Sequence, residues 1–137
     1  MASEAKVAVR RYRNYINGEW TESESGSVFP VIDPSTEETI AEVPNANEKD
    51  VNRAVAAARA AFDSGGWPQT TAQERGRILF RLAERIRKEA AMLAVLESRN
   101  CGKPIVEAEY DIADCATCFE YYGGLATKVL GHVNPVP

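Results

Sequence analysis

Hydrophobic and polar residues over the first third of the chain follow the pattern of short strands joined by tight turns. The segment YINGEW, residues 15–20, places Asn17-Gly18 between two short runs, and this dipeptide tolerates the positive φ angles of a type I′ hairpin turn. The run VFPVI, residues 28–32, is also extended, and its Pro30 cannot donate a hydrogen bond to a neighbouring strand. The sequence therefore predicts a β-hairpin and then an edge strand.

From residue 47 onward, apolar residues recur at intervals of three and four, which is the spacing of amphipathic helices. Asn47 is a favourable N-cap for the first helix, and the run SGG at residues 64–66 ends it. Thr71 and Glu74 stand in the capping-box pattern that begins a second helix. The apolar face of the first helix is Val51, Val55, Ala58 and Phe62. Each helix is expected to bury one such face.

The helical pattern continues to about Arg99, after which Gly102 can provide a left-handed C-cap. A final helix carries the longest apolar stripe in the chain: Ile105, Ala108, Ile112, Cys115, Phe119, Tyr122, Ala126 and Val129. Glycine inside a helix costs about 1 kcal/mol per residue, so Gly123-Gly124 predicts close packing against a neighbouring element. The stripe also predicts that Cys115 lies in the core.

The chain has three cysteines, Cys101, Cys115 and Cys118, each of which could act as a nucleophile or a ligand. Cys101 lies where a helix is expected to end, and no histidine or carboxylate nearby in the sequence is placed to activate it as a nucleophile. Cys115 and Cys118 form a CxxC pair, but a zinc or redox motif also needs a second ligand pair or a βαβ context, and neither occurs. We expect reduced, partly buried thiols, with a thiol-redox protein as the competing hypothesis.

Net charge excludes some classes of partner. The chain carries 16 Lys and Arg against 20 Asp and Glu, a formal charge of −4, whereas nucleic acids and anionic membranes attract basic surfaces. We therefore expect neither partner. Residues 1–11 are locally basic and are predicted to form a mobile tail. This segment has no apolar run of the kind found in signal peptides, so cytoplasmic location is the expectation.

The sequence contains none of the common motifs for phosphate binding, dinucleotide binding, serine hydrolysis or zinc proteolysis. What it contains is a strand region followed by long amphipathic helices that need a large surface to pack against. Two interpretations fit this pattern. One is a portion of a larger α/β enzyme, and the other is a free-standing helical binding or assembly module.

Five segments, taken in order, resemble the N-terminal region of the NAD(P)-dependent aldehyde dehydrogenase superfamily. They are YINGEW, VIDPSTEETIAEVP, DVNRAVAAARAAFDSGGWPQTTAQERGRIL, ESRNCGKPI and DIADCATCFEYYGGLA. The resemblance covers residues 12–137. The segment CFEYYGGLA is similar to that of betaine-aldehyde and other aminoaldehyde dehydrogenases.

The resemblance implies an α/β fold in which a leading β-hairpin and strands are followed by three to four helices that pack on a Rossmann-like cofactor domain. It implies oxidation of a small-molecule aldehyde to its acid with NAD or NADP by a homo-oligomer. In the family a cysteine thiolate attacks the aldehyde and a glutamate activates the water that releases the thioester. Those residues lie downstream of residue 137, so we expect no catalytic or cofactor-binding residue here, and residues 12–137 form a truncated portion. The alternative is a non-catalytic binding or assembly module derived from the family.

The resemblance also implies two peripheral sites. The backbone of Ile32 and the side chain of Asn100 match positions that hold a monovalent cation in many relatives, although Asn100 is equally well explained as part of a helix end. Asp111 and Asp114 share one helix face and match acids near the substrate entrance of aminoaldehyde-type relatives, where they would attract a cationic substrate. A solvated helix surface is the alternative for this pair.

Overall fold

The structure is a computed structural model that describes residues 9–131, and these residues form two compact units. Within this range, unit 1 comprises residues 9–69 and 99–102, and unit 2 comprises residues 70–98 and 103–131. Strands occur in unit 1, whereas the described part of unit 2 is helical. The predicted class, an α/β chain with leading strands and three to four helices, is confirmed.

The strands of unit 1 form a three-stranded sheet, ordered β1-β5-β4, and a separate hairpin of β2 and β3. Their bounds are β1 Arg10–Arg11, β2 Asn14–Ile16, β3 Glu19–Thr21, β4 Val28–Ile32 and β5 Thr39–Pro44. The hairpin turn is the predicted one, because Asn17 and Gly18 have φ angles of 53° and 83°, in the left-handed region that a type I′ turn requires. Tyr15 pairs with Trp20 across it, and their ring centroids lie 4.9 Å apart.

The strand that contains Pro30 lies at the edge of its sheet, as predicted. Among the described residues, β4 pairs only with β5, antiparallel, with Pro30 opposite Glu42. Edge strands tolerate proline because one side of the strand makes no ladder hydrogen bonds. The missing N–H is therefore accommodated where it disturbs the sheet least.

The basic tail predicted over residues 1–11 differs from the structure at its C-terminal end. Residues 1–8 lie outside the described range, but Arg10 and Arg11 form β1 and pair in parallel with Ala41 and Glu42 of β5. Charge composition alone suggested a tail, whereas backbone pairing with β5 does not depend on side-chain polarity. Residues 10 and 11 are thus part of the sheet.

Four α-helices follow in the part of the chain that the structure describes: α1 Glu48–Ser64, α2 Ala72–Lys88, α3 Ala90–Cys101 and α4 Ile105–Leu125, with a short 3-10 turn at Trp67–Gln69. Both predicted N-caps are confirmed. Asn47 accepts hydrogen bonds from the backbone of Lys49 and Asp50, and Thr71 forms a full capping box with Glu74. Capping of this kind stabilises a helix by about 1 kcal/mol.

Helices α2 and α4 pack closely in unit 2, and glycine makes this approach possible. A Cβ atom added to Gly76 would lie 2.7 Å from the carbonyl oxygen of Gly123, and one added to Gly123 would lie 3.2 Å from that of Gly76. The close packing predicted from Gly123-Gly124 is therefore confirmed. Buried alanines line the same helices: Ala83, Ala108 and Ala116.

The predicted stripe of α4 is wrong in detail. Ala108, Ala116 and Gly123 are buried, whereas Cys115 and Tyr122 are exposed. The predicted stripe follows hydrophobicity, whereas a close helix–helix contact favours small side chains. The large side chains of Tyr110, Tyr121 and Tyr122 on α4 are consequently exposed.

Candidate functional site

The turn after β4 is joined to the end of α3 by an ion pair within unit 1. Asp33 is only 3% exposed, and its Oδ2 lies 3.4 Å from Nε of Arg99. The backbone N–H and the hydroxyl of Ser35 donate to its Oδ1 at 2.9 and 2.6 Å. These hydrogen bonds, first from Ser35 and then from Arg99, hold the pKa of the Asp33 carboxyl below its ordinary value of 3.8.

A second contact joins the same two segments. Gly102 has a φ angle of 77°, which confirms the predicted left-handed helix end, and a Cβ atom there would lie 2.7 Å from Cγ of Pro34. Ile32 immediately precedes Asp33, and Asn100 immediately follows Arg99, so the two predicted cation ligands belong to segments that are in contact. Sequence reasoning missed the link between Asp33 and Arg99, which lie 66 positions apart.

The donors at this junction do not amount to a strong metal site. Over residues 9–131, no group of three or more His, Cys, Asp or Glu side chains is arranged to hold a metal ion. The nearby Asp33 carboxylate is already engaged by Ser35 and Arg99. A cation here would depend on neutral oxygens such as the Ile32 carbonyl and the Asn100 amide, a donor type that hard cations accept. The monovalent-cation site stays a prediction.

Asp111 and Asp114, the two acids of α4 predicted to lie near the substrate entrance, differ in their ion pairing. Asp111 is ion-paired with Nζ of Lys103, which also lies 3.0 Å from Oε1 of Glu97, and the two carboxylates, Asp111 first, raise the pKa of the Lys103 ammonium above its ordinary value. Asp114 is exposed and makes no ion pair with any described residue. Only Asp114 therefore keeps an uncompensated charge, and the entrance role predicted for the pair stays a prediction.

Asp50 is the largest fully buried side chain among the described residues, and its carboxylate organises the start of α1. Ser23 Oγ donates to its Oδ2 at 2.5 Å, and the backbone N–H groups of Asn47 and Glu24 donate at 3.1 and 3.2 Å. Arg53 adds an ion pair at 3.2 Å. These contacts, the Ser23 hydroxyl first, hold the pKa of Asp50 below 3.8. The sequence predicted the N-cap at Asn47 but not the contact of Asp50 with residues 23–24.

The pyrophosphate of a dinucleotide commonly binds at a helix N-terminus whose N–H groups are free, and the N-termini of α1 and α2 are not free in this way. The N-terminus of α1 is occupied by the carboxylate of Asp50, and that of α2 by the carboxylate of Glu74. Their negative charge would repel a phosphate. These termini therefore do not fit a nicotinamide cofactor.

The three cysteines occupy helical positions. Cys101 is the last residue of α3, as the sequence predicted. Cys115 and Cys118 lie on α4, and all three cysteines are exposed. The expectation of partly buried thiols was wrong, because the buried row of α4 runs through Ala116 and not through its neighbours.

Large apolar side chains remain exposed on both units. They include Trp20 at 62%, Val55 at 61% and Phe62 at 70% exposure, and the hydrophobic residues that are buried within residues 9–131 are all alanines. The apolar face predicted for α1 therefore exists but is not buried by the described residues. Separately, none of the helices within residues 9–131 is both long and apolar enough to span a bilayer.

Comparison with known proteins identifies the relatives of this chain. Residues 20–137 match the sequence model of the aldehyde dehydrogenase family. The chain is 46% identical to human retinal dehydrogenase 2 over 132 residues, which are 95% of this chain and 26% of that protein.

Two solved structures match the N-terminal part of the family fold. An NAD-dependent aldehyde dehydrogenase from Sinorhizobium meliloti is 36% identical, with a TM-score of 0.87 over 92% of this chain and 25% of that one. A betaine aldehyde dehydrogenase from Staphylococcus aureus, in complex with NAD+, is 38% identical, with a TM-score of 0.85 over 91% and 26%. The chain thus spans about a quarter of the length of these relatives.

Proposed function

The chain belongs to the aldehyde dehydrogenase family, and we propose that it is the N-terminal portion of an enzyme that oxidises an aldehyde to a carboxylic acid with NAD+ or NADP+. The family match over residues 20–137 carries this proposal. Further support comes from the TM-scores of 0.87 and 0.85 against complete dehydrogenases of which the chain covers about a quarter.

The distribution of apolar surface supports the incompleteness of the chain. The buried hydrophobic residues of the described part of the chain are alanines, while Val51, Val55 and Phe62 line an exposed face on α1. Large apolar side chains contribute most of their stabilisation when they are buried. We therefore propose that the remainder of the enzyme covers these faces, supplies the catalytic cysteine and binds the cofactor, and that the chain alone is inactive.

The test compares two proteins: the chain as it stands and the longest protein encoded by the same reading frame. We expect NAD(P)H formation from an aldehyde, followed at its absorbance maximum, with the longer protein and none with the chain. Reduction of the nicotinamide by the chain alone would contradict the proposal. A reading frame that stops at Pro137, together with a cooperatively folded chain that binds no hydrophobic dye, would favour the binding or assembly module instead.

For the substrate we propose a cationic aminoaldehyde, of which betaine aldehyde is the simplest candidate. Support comes from the Staphylococcus aureus relative and from the exposed, unpaired carboxylate of Asp114. Such a carboxylate attracts a cationic substrate over roughly the Debye length of about 8 Å at physiological salt. Human retinal dehydrogenase 2 is also a relative, so a neutral aldehyde is the competing substrate.

Betaine aldehyde and its neutral isostere 3,3-dimethylbutanal separate these substrates by charge alone. In the full-length enzyme, Asp114→Asn is expected to raise KM for betaine aldehyde several-fold and to leave KM for the isostere unchanged. Asp111→Asn is the matched variant, and its effect should be smaller because Lys103 already neutralises Asp111. Equal effects on both substrates would argue against the entrance role.

We also propose that the Ile32 carbonyl and the Asn100 amide help to bind a monovalent cation in the complete enzyme. Support comes from the contact between their two segments through Asp33 and Arg99. Asn100→Asp adds a charge and should strengthen stabilisation by K+ relative to a large organic cation, measured as a shift in Tm. No dependence on the cation in either protein would contradict the site.

The proposal also covers the cellular location and the oligomeric state of the full-length enzyme. The exposed thiols of Cys115 and Cys118, which form no disulfide, support a reducing compartment, so we propose the cytoplasm. The exposed apolar surface supports a homo-oligomer, to be tested by light scattering on the full-length protein.

A further inference from the structure

Cys115 and Cys118 present two thiols on one face of α4. The helix is continuous from Ile105 to Leu125, and both side chains are exposed. Residues three apart on a helix have Cβ atoms about 5–6 Å from each other. The two sulfur atoms can therefore approach each other without any change in the backbone.

This spacing favours a bridging ion over a disulfide. A disulfide requires Cβ atoms about 3.5–4.5 Å apart, so its formation would distort the helix. Sulfur–metal bonds of about 2.3 Å let one ion span up to about 4.6 Å between two sulfur atoms. The undistorted helix thus suits a single ion held between both thiolates.

The number of ligands narrows the choice of ion. Structural zinc takes four ligands, and no cluster of three or more potential ligands exists within residues 9–131. Soft thiolate ligands select Cu(I), which accepts two-coordinate geometry. Asp114 precedes Cys115 and lies one helical turn before Cys118, so its charge favours a cation over an anion at this place.

We propose that Cys115 and Cys118 form a dithiolate site for one Cu(I) ion on the surface of α4. On binding, each thiol releases its proton and forms one sulfur–copper bond, so one Cu(I) ion replaces two protons. Neither copper nor sulfur changes oxidation state. The site does not depend on the aldehyde reaction, and its failure would leave the proposed enzymatic function untouched.

The test is a titration of the reduced 137-residue chain with Cu(I) under anaerobic conditions, in competition with a chromogenic Cu(I) chelator. We expect one ion per chain and two protons released per ion. Cys115→Ser and Cys118→Ser should each abolish this binding, whereas Cys101→Ser should leave it unchanged. Binding that survives either α4 substitution, or that is lost with Cys101→Ser, overturns the proposal.

A register variant shows whether the helix creates the site. The double variant Thr117→Cys, Cys118→Ser keeps the number of thiols but places the second one about 200° around the helix from Cys115. Thr117 is exposed, and its hydroxyl bonds only to the carbonyl of Ala113. With helicity unchanged by circular dichroism, affinity should fall at least about tenfold. Unchanged affinity would show that two cysteines in any arrangement suffice, and would overturn the helical site.

Discussion

The first helix of unit 1 and the helix pair of unit 2 meet their surroundings in opposite ways. Helix α1 is fixed at its N-terminus by the buried Asp50 and exposes its apolar face, with Phe62 70% exposed. Helices α2 and α4 are fixed along their length, where Gly76 and Gly123 bring the backbones together. One region is positioned by polar contacts at a single point, and the other by the shape of small residues.

This difference separates two uses of hydrophobic surface. Small side chains at Ala83, Ala108 and Ala116 build the contact that the chain makes with itself. Large side chains, such as Val55 and Phe62, lie on surfaces that the described residues leave open. Each region should therefore respond to a different kind of substitution.

The largest effect is expected at the closest approach of α2 and α4. Gly76→Ala places a Cβ atom 2.7 Å from a backbone oxygen, so it should destabilise the pair by about 2 kcal/mol. Gly124→Ala is the matched control, because a Cβ atom there meets nothing within 4 Å and should stabilise α4 by up to about 1 kcal/mol. Amide hydrogen exchange along both helices measures the two changes. Changes of the same sign would contradict the contact.

A smaller loss of stability is expected when the contacts of Asp50 at the N-terminus of α1 are removed. Asp50→Asn removes the charge that accepts hydrogen bonds from Ser23, Asn47 and Glu24, so amide protection at the start of α1 should fall roughly tenfold. Glu74→Gln makes the same chemical change in the exposed capping box of α2 and should have a smaller effect. Equal losses would show that burial of Asp50 adds nothing to capping.

Acid should weaken unit 1 through Asp33 and Asp50. Their pKa values in the folded chain lie below the ordinary value of 3.8, so their contribution to stability is complete above that value. It is lost as the pH falls below 3.8 toward the folded pKa, because the unfolded chain then binds more protons. The free energy of unfolding of unit 1, measured with urea, should fall as the pH is lowered below 3.8. The Asp50→Asn variant should show a smaller change in this free energy per pH unit. An unchanged pH dependence would argue against a role for Asp50.

The smallest effect is expected on the open face of α1. Phe62→Ser should change stability by less than about 0.5 kcal/mol, because the side chain is already exposed, and should reduce the binding of a hydrophobic dye. Ala116→Val, at a buried position, should cost about 1–3 kcal/mol. A large loss with Phe62→Ser would mean that this face is already covered within the chain.

Local features of the fold could be predicted because their causes are local. The Asn17-Gly18 turn and the caps at Asn47 and Thr71 follow from residues within four positions of each other. The position of Pro30 at a sheet edge follows from its missing N–H group. These elements depend on backbone chemistry that the residue type already specifies.

The contacts of the candidate sites could not be predicted in the same way. Arg99 reaches Asp33 across 66 positions, and Lys103, which lies in the break between α3 and α4, reaches Asp111 on α4. No periodicity in the sequence joins these residues. Likewise, periodicity identified the apolar positions of α4 but not that the small Ala116, and not Cys115, would be buried.

Pro30 also has a consequence for how this chain associates. A bare sheet edge offers backbone groups on which an incoming strand can pair, and a proline in the middle of that edge makes it a poor template. Self-association of the isolated chain should therefore involve helical surfaces and give amorphous clusters instead of fibrils. Replacing Pro30 with a residue that has a backbone N–H would restore the missing donor to this edge, and ordered cross-β growth is then expected.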